Sequence, residues 1–416
     1  MSRPMKHSGV DWLGDIPADW TVRPLKGVAE RIIVGLATSV TQYYRDEGIP
    51  IFRNLNVKDD ELTDDDILYL DREWASLQTG KMIKSGDILT VHTGYIGISC
   101  IVPKKYDNAL TFTTLITTPR KDVINTRFLM RFINVSRFYS PIYFNVETGA
   151  QNNLNTKAFV NLEISLPPLD EQQRIANFLD NECRRIDSVI DKTRASIDEY
   201  KKLKQALITR AVTKGIRPNR PTKSSGVDWL GDIPTDWNTC RLRFLCDIST
   251  GNQDTQDNNP NGEYPFYVRS PIVERCEKWT FDGAAILMSG DGAGAGRIFH
   301  YVDGKYGCHQ RVYSLQNIER INRRFLFYYI RELFYISIET ANSKSTVDSV
   351  RLAMLQNFPV TLPPLDEQQE IAAYLDEKTA AIDLLIAKKI QLAAELEQLK
   401  KSLIFEYVTG KKELQS

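Results

Sequence analysis

Apolar residues along the chain follow two patterns. In two long stretches they recur every seven positions. Leu179, Ile186, Thr193, Tyr200 and Leu207 mark one seam, with Cys183, Ile190, Ile197, Lys204 and Ala211 beside it. Leu375, Ile382, Lys389, Leu396 and Leu403 mark the other, with Thr379, Ile386, Ala393, Lys400 and Tyr407 as companions. Four to five heptads predict two long helices that pair as a coiled coil. The first is expected over 169–212, about 66 Å at roughly 1.5 Å per residue. Elsewhere the apolar runs are short and β-branched. Residues 48–57 alternate like a strand, 85–102 give two strand-like runs around Gly94 and Gly97, and Val34, Ile116 and Val123 lie in similar stretches. Residues 128–135 have helical spacing, 148–159 are polar and turn-rich, and NLEISL closes the segment as a strand.

The same order of signals returns later, at 264–270, 284–302, 324–334 and 341–350. Here YPFYVRS matches the strand at Pro50 in its Pro-aromatic-Arg character. Around these segments the sequence itself repeats. LPPLDEQQRIANFLD, starting at Leu166, becomes LPPLDEQQEIAAYLD at Leu362, an offset of 196 (362 − 166). SGVDWLGDIPADW, starting at Ser8, becomes SGVDWLGDIPTDW at Ser225, an offset of 217 (225 − 8). The segments between these landmarks share almost no identity. A long-period repeat of this kind means two large units, here two different modules in equivalent mountings. Gly14 and Pro17 exclude a continuous helix in the first landmark, so Trp12, Leu13, Ile16 and Trp20 are expected to form an apolar clip. RPNRPTKSSG reads as a linker before the second clip. The expected domains are 1–165 (clip and first module), 166–215 (first helix region), 216–361 (linker, second clip and second module) and 362–416 (second helix region).

Composition narrows the function. Lys+Arg and Asp+Glu are balanced at 53 each, so any polyanion site needs one-sided placement of charge. The acidic run 59–66, DDELTDDD, is expected to be a solvated loop turned away from such a site. No apolar run is long enough for a membrane span. The N-terminus lacks an export pattern, and six scattered cysteines read as reduced thiols of a cytoplasmic protein. GDGAGAG, starting at Gly290, lacks GK[ST] and GxGxxG, and RIFHYV after it looks like a strand, so a hairpin turn is expected rather than a phosphate loop.

LPPLDEQQ followed by a heptad helix, present twice, together with GxIPxxW before each variable segment, resembles the specificity subunit of type I restriction-modification systems. The likeness runs from about Val10 to about Lys411. It implies an α+β fold: two target recognition domains joined by two long helices in an antiparallel coiled coil, related by a pseudo-twofold repeat. It also implies that each domain reads half of a split double-stranded DNA site, that the helices space the domains, and that modification subunits carry the methyl transfer while restriction subunits join to cleave. Two modification subunits would dock on the repeated LPPLDEQQ stretches and helices. The chain itself would be non-catalytic, with no cofactor, metal or membrane role. Two other readings carry less of the sequence. A one-chain DNA methyltransferase would need an NPPY- or DPPY-like motif, which is not seen, and a coiled-coil adaptor leaves the two divergent modules unexplained.

Base edges are read by Arg, Asn, Gln, Ser and Thr. In the first module the expected readers are Arg53 and Asn54 at a strand end, His92, Thr93, Gly94 and Tyr95 at the glycine turn, and Gln151, Asn152 and Asn153 in the closing loop. In the second they are Arg269, Ser270, Ser289, Arg297, Asn342, Lys344 and Ser345.

Overall fold

The computed structural model describes residues 3–144, 153–341 and 349–414. The chain divides into two compact units, residues 1–192 with 392–416, and residues 193–391. The expected boundaries at 166 and 362 assumed that the helices stand apart from the modules. Instead each long helix gives one half to each unit, because each half buries its apolar side against a module.

In the first unit a central antiparallel sheet has the order Ala29–Val34, Thr114–Pro119, Ile88–Val91, Ser99–Ile101. Every residue of Ile88–Val91 is buried, and alternation assigns them to two different cores. Ile88 and Leu115 face the helix Thr126–Ser136 and the clip, while Leu89, Val91 and Ile116 face Phe52, Val57 and Tyr106. A second small sheet pairs Leu110–Thr111 in parallel with Ile49–Phe52, which pairs in turn with Leu68–Leu70 and through it with Tyr44–Arg45. The strand Glu163–Leu166 closes the module by pairing with Thr21–Pro24. Val123, expected in a strand, lies in the turn before the helix.

The second unit repeats this plan. Its central sheet runs Asp247–Thr250, Val312–Gln316, Ala285–Ser289, Phe299–Val302, and Asn238–Arg241 pairs with Pro359–Leu362. Ile286, Met288 and Leu315 face the helix side, whereas Ala285, Leu287 and Val312 face the other. GDGAGAG is the loop joining Ala285–Ser289 to Phe299–Val302, a hairpin as the sequence suggested.

The long helices are Leu169–Lys214 and Leu365–Val408. Each follows two prolines and carries Asp and Glu in its first turn, where the helix dipole favours them. Gly215 and Gly410, at φ +76 and +72, sit just beyond their ends, where left-handed backbone stops a helix. In each unit the two helix halves run antiparallel. The first unit pairs Lys400 with Asp187 at 2.7 Å, and the second pairs Lys204 with Asp383 at 2.7 Å. These are the same contact under the 196-residue offset.

One further expectation needs correction. The acidic run is not simply solvated. Asp60, in left-handed backbone at φ +70, pairs with Arg131 of the short helix, and Arg131 also reaches Asp180 on the long helix at 3.3 Å. Burial holds the Asp60 carboxyl above its ordinary pKa even with Arg131 beside it. The linker before the second clip is tied to its own unit. Arg220 pairs with Glu367 and Asp236, and Thr222–Ser224 pairs as a strand with Asp232–Pro234.

Candidate nucleic-acid interface

Two features recur in both units: a brace at the base of each module and a glycine turn at its far edge. The brace is nearly identical in the two copies. Trp20 is buried, and its indole N–H donates to Glu171 at 3.1 Å, while Arg3 pairs with the same carboxylate. Trp237 and Arg220 do the same to Glu367. The buried Gln172 accepts from the backbone N–H of Asn125 at 2.7 Å and donates to the Pro167 carbonyl at 2.9 Å. Gln368 repeats this with Asn322 and Pro363. Ser165 donates to the Val408 carbonyl, and Thr361 donates to that of Val212. Half of the LPPLDEQQ motif therefore serves the chain's own packing. Leu169 and Leu365, at 43% and 54% exposed, stay outside with Asp170 and Asp366.

In the first module the turn follows the buried strand Ile88–Val91. Positive φ at Gly94 (+90) and Gly97 (+86) lets the chain reverse tightly. The turn is tied to the return of the closing loop: Leu154 N–H donates to the His92 carbonyl at 2.8 Å, and Thr93 forms a bridge with Asn153. The Thr93 hydroxyl donates to the Asn153 side chain at 2.8 Å, and Asn54 donates to the Thr93 carbonyl at 3.0 Å. Strand end, turn and closing loop thus meet at one place. Tyr95 projects from the turn at 88% exposure. Burial lowers the His92 pKa, which favours a neutral ring.

The second module has the same frame. Val350 N–H donates to the Gly290 carbonyl at 2.7 Å, and Asp291 bridges Ser349. Gly292 and Gly296 take φ +74 and +67. His92, Thr93 and Leu154 therefore correspond to Gly290, Asp291 and Val350. The chemistry differs: Arg269 and Arg311 both pair with the Asp291 carboxylate, at 3.1 and 2.6 Å. Arg269, Asp291, Arg297 and His309 line a concavity of about 620 Å³. Arg297 lies over the Tyr335 ring at 3.8 Å.

The structure thus gathers Asn54, His92, Thr93, Gly94, Tyr95 and Asn153 in one unit, and Arg269, Ser270 and Arg297 in the other. Arg53 is turned aside, with its guanidinium donating to the Asp66 carbonyl at 2.6 Å. Ser289 is buried at 1% exposure and donates to the Asp291 carbonyl, so it shapes the turn from within. The match of Arg53 to Arg269 is out by one. Ile51 and Phe52 pair with Leu110 and Thr111 as Phe266 and Tyr267 pair with Gly307 and Cys308. Arg269 therefore corresponds to Asn54. Gln151, Asn152, Asn342, Lys344 and Ser345 lie outside the described residues. Sequence reasoning missed Asp291 and Arg311. A carboxylate is an unexpected choice at a DNA face, and only the strand register brings Arg311 to it.

Among the described residues no His, Cys, Asp or Glu cluster is arranged to hold a metal ion, and no helix is long and apolar enough to cross a membrane. Two divergent turns on matching braces mark a duplicated architecture. The type I restriction modification DNA specificity domain matches twice, over residues 17–197 and 234–394, and the chain belongs to that family. The MjaX specificity subunit of Methanocaldococcus jannaschii is 27% identical, over 96% of this chain and 95% of its own. A chain solved in work on assembly and conformational transition of the type I R-M system has a TM-score of 0.73 at 19% identity, covering 95% of this chain and 99% of its own. The HsdS subunit of Thermoanaerobacter tengcongensis has a TM-score of 0.54 at 19% identity, covering 95% and 98%. Both likenesses support the α+β fold.

Proposed function

We propose that this chain is the sequence-reading subunit of a type I restriction-modification complex, acting on DNA in the cytoplasm. Each module reads one half of a bipartite double-stranded site with its glycine turn, strand end and closing loop. The chain performs no chemistry itself. One observation carries this reading: the brace of Arg, Trp, Glu and Gln is the same in both copies, while the side chains on an equivalent turn frame are not. Identical mountings suit one kind of partner taken twice, and unlike edges suit two unlike half-sites.

The exposed repeat Pro168-Leu169-Asp170, matched by Pro364-Leu365-Asp366, is the surface offered to two modification subunits. Restriction subunits then join that complex. The expected base contacts are Asn54, His92, Thr93, Tyr95 and Asn153 in the first module, and Arg269, Ser270 and Arg297 in the second. Arg and Lys elsewhere meet phosphates, which position the protein without reading sequence. The test is to exchange residues 20–165 for another family member's module and map methylated sites across the host genome. Only one half-site should change, and a change in both would refute the modular reading.

A further inference from the structure

We propose that Arg269 and Arg311, set as a pair by Asp291, read guanine in the half-site of the second module. The inference rests on the DNA-reading function above and names one of its contacts. Asp291 holds one arginine on each carboxylate oxygen, Arg269 on Oδ1 at 3.1 Å and Arg311 on Oδ2 at 2.6 Å. The carboxylate itself is tucked in, its side chain 14% exposed, whereas the two arginine side chains are 44% and 60% exposed. A staple that merely closed a loop would not leave both arginine side chains so open to solvent.

The backbone under the pair is fixed from several sides. Asp291 bridges Ser349, the Ser289 hydroxyl donates to the Asp291 carbonyl, and Gly290 N–H donates to the Arg311 carbonyl at 2.9 Å. Each arginine spends one terminal nitrogen on Asp291. The rest of its planar fork points outward, already oriented, so little freedom is lost when it meets a base. A fork of parallel donors matches the O6 and N7 acceptors that guanine presents in the major groove. Adenine presents a donor at N6 and would oppose it. Three groups, +2 and −1, leave a net positive edge toward DNA.

The first module lacks this device. At the position of Asp291 it has Thr93, and at that of Arg269 it has Asn54. Arg311 has no counterpart. Leu36 N–H donates to the Thr111 carbonyl as Gln253 N–H donates to that of Cys308, and Gly35 donates to Thr114 as Gly251 donates to Val312. Between these anchors the first module has two residues and the second has three. The additional length delivers Arg311 to Asp291.

The test uses the full chain with its modification subunits. Methylome mapping of the wild type should show a required guanine in the half-site assigned to the second module. Replacing that guanine by 7-deazaguanine, which lacks the N7 acceptor and keeps O6, should weaken binding by roughly 5-fold or more, a part of the roughly 5- to 150-fold that a whole bidentate contact contributes. Arg269→Ala or Arg311→Ala should relax the motif at guanine. Asp291→Asn, which keeps the size and removes one negative charge, should widen the motif there without weakening binding to unrelated DNA. Unchanged reading of the first half-site shows that each variant is folded. A second half-site with no guanine, or an unchanged motif in Asp291→Asn, overturns the proposal while the functional reading stands. A wild-type complex that selects no motif refutes both.

Discussion

The two modules share their interior logic and part ways at one edge. At the base, Glu171 and Glu367 each join an arginine to a tryptophan, and Gln172 and Gln368 each satisfy a strand-to-helix corner. At the turn, a threonine tied to an asparagine in one copy stands where an aspartate between two arginines stands in the other. Buried polar groups need particular partners, since an unpaired one costs its full desolvation. An exposed turn needs only a backbone frame, so its side chains are free to differ. The duplication therefore separates what holds the protein together from the edge to which the proposed function assigns DNA reading.

The largest effect should come from the brace, and it should differ between copies. Glu367 is 1% exposed in its side chain, Glu171 13%. Removing Glu367 leaves Arg220 beside an exposed Asp236 and a buried Trp237 N–H without an acceptor. Glu367→Ala should cost about 3–5 kcal/mol, the usual cost of breaking a buried ion pair. Glu171→Ala should cost less, because water can reach Arg3. The exposed Asp366→Ala should stay within about 0.5 kcal/mol. Urea unfolding followed by tryptophan fluorescence gives all three, and equal costs for the two glutamates would refute the ranking.

A second comparison lies within the first turn. Gly94 and Gly97 both hold positive φ, but a Cβ on Gly94 meets nothing within 4 Å, while one on Gly97 would lie 2.6 Å from the Tyr143 ring. Tyr143 is buried and bonded to Ser136, so it cannot retreat. Gly94→Ala should cost about 1–2 kcal/mol of backbone strain alone. Gly97→Ala adds overpacking of about 1–3 kcal/mol. The difference in urea midpoint between the two variants measures the clash, and coincident midpoints would deny it.

Much of this was legible in the sequence. The repeat gave two units, heptads gave the long helices, and glycines between β-branched runs marked both turns. The α+β architecture and the family followed from these. Long-range partners were not legible. Nothing near Asp60 in the chain announces Arg131, and Arg3 stands far from Glu171 in sequence. Arg53 and Arg269 looked equivalent because both follow a proline and aromatic residues. A shift of one residue in a strand sends a side chain to the other face, and only the register shows it. Arg311 was invisible for the same reason: a one-residue difference in loop length leaves no pattern.

The smallest effect expected is a pH dependence carried by one histidine in each unit. His92 and His300 both have pKa values lowered, in each case by burial. His300 bonds the Ser270 carbonyl through Nε2 at 3.1 Å and packs 4.9 Å from the Tyr267 ring. That bond to a carbonyl by itself favours the protonated ring, but burial outweighs it and the neutral form is favoured. A histidine lowered in the folded state takes its proton first in the unfolded chain. Stability is then complete above the ordinary histidine value of about 6.5 and falls as pH drops from there through the folded-state pKa. The second unit should therefore unfold progressively more easily below about pH 6.5. His300→Gln keeps a polar group near Ser270 and cannot titrate, so its stability should fall less over that interval while matching wild type more closely as pH rises. His92→Gln should show the same change in the first unit, and smaller, because the His92 ring is the less buried of the two. Urea midpoints measured from pH 7.5 down to 5.5 decide it. Parallel profiles for wild type and both variants would mean that neither ring carries a proton penalty.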